Sequence, residues 1–131
     1  LAPWDMKHVI NKLTELNCDK ILLTDRGTQF GYNNLVSDMR SIPIMQKLGY
    51  PVIFDATHSA QLPGGNDSFT GGMRSMIPTL AKSAVAAGCN GLFMEVHDSV
   101  KKAKSDSSTQ WPLDKLESLL IEIKKIKEVL K

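Results

Sequence analysis

Three short apolar runs, KILLTD at 20–25, VIFDAT at 52–57 and GLFMEV at 91–96, are separated by segments with helical apolar periodicity. This alternation constrains the fold more than any other feature of the chain. Each run is continuous rather than alternating with polar residues, which predicts strands covered on both faces. Between and around them the periodicity predicts four helices. One opens at Pro3 and carries Val9, Ile10, Leu13 and Leu16; one covers 38–48 and closes on Gly49. One covers 73–88 with Pro78 in its first turns, and the last covers 113–130 with Leu116, Leu119, Leu120, Ile123, Ile126 and Leu130 on one stripe. Helix, strand, helix, strand, helix, strand, helix is the order of parallel βαβ units, so the fold class is α/β. Three strands cannot close a barrel, and as an open sheet they leave two bare edges, so residues 1–131 are expected to be part of a larger domain.

Two stretches lack periodicity and read as loops, RGTQFGYNN at 26–34 and QLPGGNDSFTGG at 61–72. The second holds four glycines, and loops of that length inside compact domains usually serve function. With 42% hydrophobic and 23% charged residues in 131, the composition is that of an ordinary globular protein of one domain at most. The net charge of +2 comes from dispersed lysines, including Lys101, Lys102 and Lys104, with no interleaved aromatics to stack bases, which argues against nucleic acid. No run is long enough to span a membrane and no leader is visible, so a cytoplasmic location is expected. Cys18 and Cys89 lack CxxC or Cys/His neighbours and read as buried apolar thiols rather than ligands or a disulfide.

In parallel α/β folds the working groups gather at the C-terminal ends of the strands, and here the polar residues fall there. Asp25 and Arg26 end the first run, Asp55, His58 and Gln61 the second, and Glu95, His97 and Asp98 the third. Any one of them alone reads as a cap or surface pair; three strand ends together do not. Arg26 suits a phosphate or carboxylate, because its guanidinium fork donates two hydrogen bonds and keeps its charge. His58, Glu95 and, from the loop beyond, Asp106 form a nitrogen-and-oxygen set suited to a metal ion. Ser59 adjoins His58 but lacks a GxSxG elbow, which sets a serine hydrolase aside.

The strings DRGTQFGYNNLVSDMR at 25–40, FDATHSAQLPGG at 54–65 and GLFMEVHD with Asp106 over 91–106 closely resemble the successive motifs of the 3-deoxy-manno-octulosonate 8-phosphate synthases. LAPWDMK at the start resembles the segment after that family's fifth strand. The resemblance implies a β/α (TIM) barrel of which residues 1–131 supply the last three strands and four helices, the C-terminal half of one catalytic domain, with the N-terminal half absent. It implies a transferase of lipopolysaccharide biosynthesis that condenses phosphoenolpyruvate with arabinose 5-phosphate, homotetrameric at full length. Arg26 and Gln61 would bind substrate, and His58 and Asp106 would be catalytic. His58, Glu95 and Asp106 would also ligate a divalent metal (zinc, manganese or iron) if the barrel's opening strand carries cysteine, whereas asparagine there marks a metal-independent class. The glycine-rich stretch 61–72 would cover the substrates. Residues 1–131 alone are expected to be inactive.

The sequence departs from the pattern at Asp25, where glutamate is usual, and at Ser107, where glycine is usual. The related 3-deoxy-arabino-heptulosonate 7-phosphate synthases share the barrel and the phosphoenolpyruvate, but GYNNLVSDMR and ATHSAQLPGG favour the octulosonate enzymes. A non-catalytic, flavodoxin-like binding module of three parallel strands is the alternative of another class.

Overall fold

A computed structural model describes residues 1–29, 33–63 and 71–130. Pro3 opens a 3-10 turn (Pro3–Asp5) that leads into α1 (Met6–Thr14), its missing N–H falling where no helical partner exists. The helix ends on Asn17, which takes the left-handed conformation at φ 59°. The Cys18 amide reaches back to the Leu13 carbonyl and the Asn17 amide to Thr14, a Schellman closure. Gly88 (φ 89°) closes α3 (Ile77–Ala86) in the same way, with Cys89 donating to Ala84. A strand of the sheet follows each closure, beginning at Leu23 and at Gly91. α2 (Ser41–Gln46) is shorter than the predicted 38–48, and Pro78 sits in the first turn of α3 as expected. α4 (Leu116–Val129) follows a 3-10 turn at Leu113–Lys115.

The three predicted strands form one parallel sheet, Leu23–Asp25, Val52–Asp55 and Gly91–Phe93, with the second in the centre. They are shorter than the apolar runs, since pairing begins at Leu23 opposite Val52 and stops at Phe93 opposite Asp55. Leu23, Val52 and Phe54 pack with Ile42, Ile77, Ala81 and Ala84 of the helices in one core. Phe54 is 1% exposed and is the largest of the fully buried side chains.

The expectation that both strand faces are covered is corrected. The face of Leu23 and Phe54 carries the helices, but on the other face Leu22 is 63% and Phe93 46% exposed, while Ile53 is half-buried. Among the described residues no helix lies over that face. The stripe of α4 is also narrower than predicted: Leu119 and Ile123 are buried and Leu116 and Ile126 pack beside the core, but Leu120 and Leu130 face outward. Cys89 is half-buried, and burial raises its thiol pKa, whereas Cys18 is exposed because it lies on the turn below the first strand, clear of the helical layer.

Segment 26–34, read as irregular, contributes one strand of a short antiparallel pair, Thr28–Gln29, with Leu35–Val36 just beyond it as the other. Residues 30–32 lie outside the described residues, as does the middle of the glycine-rich stretch, 64–70. The ends of that stretch pair antiparallel, Gln61–Leu62 with Gly71–Gly72. Beyond the third strand Val96–His97 pairs in parallel with Trp111–Pro112, which folds the Asp106 segment back over the strand ends.

Candidate active site

The central strand ends on Asp55, and the chain enters a 3-10 turn at His58–Ala60. Asp55 organises that turn. One carboxylate oxygen accepts the His58 amide at 3.0 Å and the Thr57 hydroxyl at 3.2 Å, and the other lies 2.6 Å from His58 Nδ1. The carboxylate, 9% exposed, therefore favours the proton on Nδ1 and leaves the Nε2 lone pair free to face outward. Nε2 faces Glu95 Oε1 at 3.7 Å, too far for a hydrogen bond. Thr57 ties the two strand ends together, since its hydroxyl also accepts the Glu95 amide at 3.1 Å. The imidazole stacks on Phe93 with ring centroids 6.1 Å apart.

Asp106 enters from the loop. It adopts φ 48°, uncommon for a residue other than glycine, and its carbonyl accepts the amides of Thr109 and Gln110, each at 2.9 Å. The left-handed residue of this turn is Asp106 and not Ser107, so a serine at 107 is accommodated without strain in φ. Gln61 Nε2 donates to Asp106 Oδ1 at 2.6 Å, and a ligand atom from each of His58, Glu95 and Asp106 lies within 4.8 Å of the others. Glu95 Oε2 is buried and has no hydrogen-bond partner among the described residues. An orphaned carboxylate oxygen, a free imidazole nitrogen and a second carboxylate in one cluster fit a divalent cation of borderline hardness. His58, Glu95, Asp106 and Gln61, all singled out in the sequence, thus come together.

Arg26 does not join them. It is exposed and makes no hydrogen bond or ion pair among the described residues. It lines a separate cleft of about 660 Å³ with Thr24, Asp38 and Trp4. Asp25 braces the turn rather than the guanidinium, accepting the Gly27 amide at 2.6 Å and the Ser41 hydroxyl. Gly27 needs its φ of 81° there, and a Cβ would come within 3.0 Å of the Val36 carbonyl oxygen. His97 also stays apart, its Nδ1 accepting the Ser99 amide at 2.9 Å. The orienting roles of Asp55 and Thr57 were not assigned from sequence; a carboxylate three residues before a candidate histidine is the signal that points to the first.

A sequence model of the DAHP synthetase I family matches residues 1–131. The chain belongs to this family. It is 56% identical over its whole length to the 2-dehydro-3-deoxyphosphooctonate aldolase of Legionella pneumophila strain Corby, covering 48% of that protein. It is 57% identical over 122 residues to the aldolase of the same name from Dechloromonas aromatica, covering 44% of it. With the Geobacter sulfurreducens protein it shares 50% identity over 131 residues and 48% of that chain. The chain thus spans about half the length of the curated relatives it matches. Membership of the DAHP synthetase I family sets the non-catalytic flavodoxin-like alternative aside.

Proposed function

We propose that this DAHP synthetase I family chain is the C-terminal half of a 3-deoxy-manno-octulosonate 8-phosphate synthase, and that its sheet is the last three strands of an eight-stranded β/α barrel. The observation that carries the reading is the convergence of His58, Glu95, Asp106 and Gln61 at the C-terminal ends of two parallel strands, in a chain 56% identical to a 2-dehydro-3-deoxyphosphooctonate aldolase. The open sheet face with Leu22, Ile53 and Phe93 suits the inside of a barrel, where strands from the other half would fill it. No helix among the described residues is long and apolar enough to cross a membrane. In this reading the enzyme works on phosphorylated sugars in the cytoplasm, for lipopolysaccharide synthesis.

In the proposed reaction the third carbon of phosphoenolpyruvate bonds to the aldehyde carbon of arabinose 5-phosphate. Water adds to the second carbon, and the bond from that carbon to the phosphate oxygen breaks to release inorganic phosphate. Arg26 holds phosphoenolpyruvate through charge-assisted hydrogen bonds. His58, fixed by Asp55, presents Nε2 beside the reacting carbons, where it can accept or return a proton. Gln61 and Asp106 position the water or the aldehyde oxygen from the same side. His58, Glu95 and Asp106 would hold a zinc, manganese or ferrous ion if the barrel's opening strand adds cysteine; when bound, such an ion supplies Lewis-acid polarisation. If that strand carries asparagine, the three act through hydrogen bonds alone.

The test is phosphate release by the full-length protein, a homotetramer in this reading. Phosphate should appear only when phosphoenolpyruvate and an aldose phosphate are both present. Release from phosphoenolpyruvate alone, or none with both, contradicts the proposal.

A further inference from the structure

Asp106 takes the left-handed conformation, uncommon for any residue but glycine though better tolerated by aspartate than by most, on the loop beyond the third strand. What holds it there is a second basic residue that the proposed chemistry leaves unused. The Arg74 guanidinium donates through Nε to the Gln110 carbonyl at 2.8 Å and through Nη2 to the Ser107 carbonyl, so it straddles the turn that begins at Asp106. The backbone of Arg74 is in turn fixed to the central strand end. Gln61 pairs with Gly72, and the Met73 amide donates to the Ala60 carbonyl at 2.8 Å. Gly72 allows this close approach, since a Cβ there would run into the Thr109 side chain and come within 2.9 Å of the Ser108 hydroxyl oxygen. The central strand end therefore grips Asp106 twice, through the Gln61 side chain at its carboxylate and through Arg74 at the backbone around it.

We propose that Arg74 is a positioning residue, clamping the 106–110 turn so that the Asp106 carboxylate faces His58 and Glu95. The planar fork suits the task, because two carbonyls on different sides of a turn require two donors in fixed directions, which lysine cannot supply. Partners that orient ligands from outside are commonly worth about 10–100-fold in metal affinity. The clamp's effect on a cation rests on the cation-site reading of the cluster, whereas its effect on the turn does not.

The experiment titrates manganese(II) into the full-length protein and follows free ion by electron paramagnetic resonance, for wild type, Arg74→Met, Arg74→Lys, Asp106→Ala and Arg74→Met with Asp106→Ala. Arg74→Met should weaken binding about tenfold or more. Arg74→Lys should recover part of the loss, and in the Asp106→Ala background the Arg74 change should have no further effect. Equal affinity in wild type and Arg74→Met, or the same loss with and without Asp106, overturns the proposal. If the wild type itself binds no manganese, the cation reading fails, and amide exchange at Thr109 and Gln110 judges the clamp. Faster exchange there in Arg74→Met and Arg74→Lys, with helix α3 unchanged, supports it, and unchanged exchange overturns it.

Discussion

The second and third strand ends and the first strand end are built on opposite plans. At the second and third, hydrogen bonds cross between elements: Asp55 fixes His58, Thr57 joins Asp55 to the Glu95 amide, and Gln61 joins His58's turn to Asp106. At the first, Asp25 braces only its own turn, and Arg26 stands exposed beside an open cleft. The His58, Glu95 and Asp106 cluster is thus assembled by neighbours within these residues, Asp55, Thr57 and Gln61, which orient it from outside. An anion clamp needs no such neighbours, since a guanidinium keeps its charge whatever surrounds it.

The largest expected effect comes from asking residues 1–131 to work alone. Turnover should be absent, because the sheet has bare edges at Leu23–Asp25 and Gly91–Phe93 and an apolar face with Leu22 and Phe93 exposed. Measurable phosphate release from the purified 1–131 polypeptide would show that the braced strand ends suffice. In the full-length protein, Phe54→Ala should cost about 3–5 kcal/mol by denaturant unfolding, because it empties the core on which all three strand ends rest.

Asp55→Asn acts on the second strand end alone. It removes the acceptor that orients His58, so divalent-ion affinity should fall about 10–100-fold while Arg26's side of the site is untouched. Arg26→Ala should do the reverse, weakening phosphoenolpyruvate binding by about 1.5–3 kcal/mol in steady-state kinetics and leaving ion affinity as it was. If either variant disturbs both properties equally, the two strand ends are not independent. The smallest effect lies away from the site, at the Lys82–Glu122 pair joining α3 and α4, 2.8 Å apart. Lys82's hydrogen bond and then its charge hold the Glu122 carboxyl below the usual glutamate range. A lowered acid stabilises above its ordinary pKa and loses that contribution as pH falls through the lowered value. Glu122→Gln should therefore lower the unfolding midpoint slightly at neutral pH and not at all in strong acid.

The sheet and helices were legible because continuous apolar runs and a capping residue such as Gly49 are local signals. His58, Glu95 and Asp106 were legible because strand ends are where α/β folds place polar residues and because the motifs match in order. The exposure of Leu22, Phe93 and Cys18 was not, since it depends on what packs over a face. Nor were the partners of Asp55, Gln61 and Arg74. Gln61 meets Asp106 across 45 residues and Arg74 meets Gln110 across 36, contacts that only the folded sheet brings about. Arg74 carries no mark in sequence that separates it from a surface arginine.

In the proposed reaction these strand ends serve to join phosphoenolpyruvate to a five-carbon sugar phosphate. The most direct measurement supplies full-length protein with phosphoenolpyruvate and equal arabinose 5-phosphate and erythrose 4-phosphate, and reads the product by mass. The eight-carbon acid phosphate is the expected dominant product; a dominant seven-carbon product from erythrose 4-phosphate would contradict the proposed function.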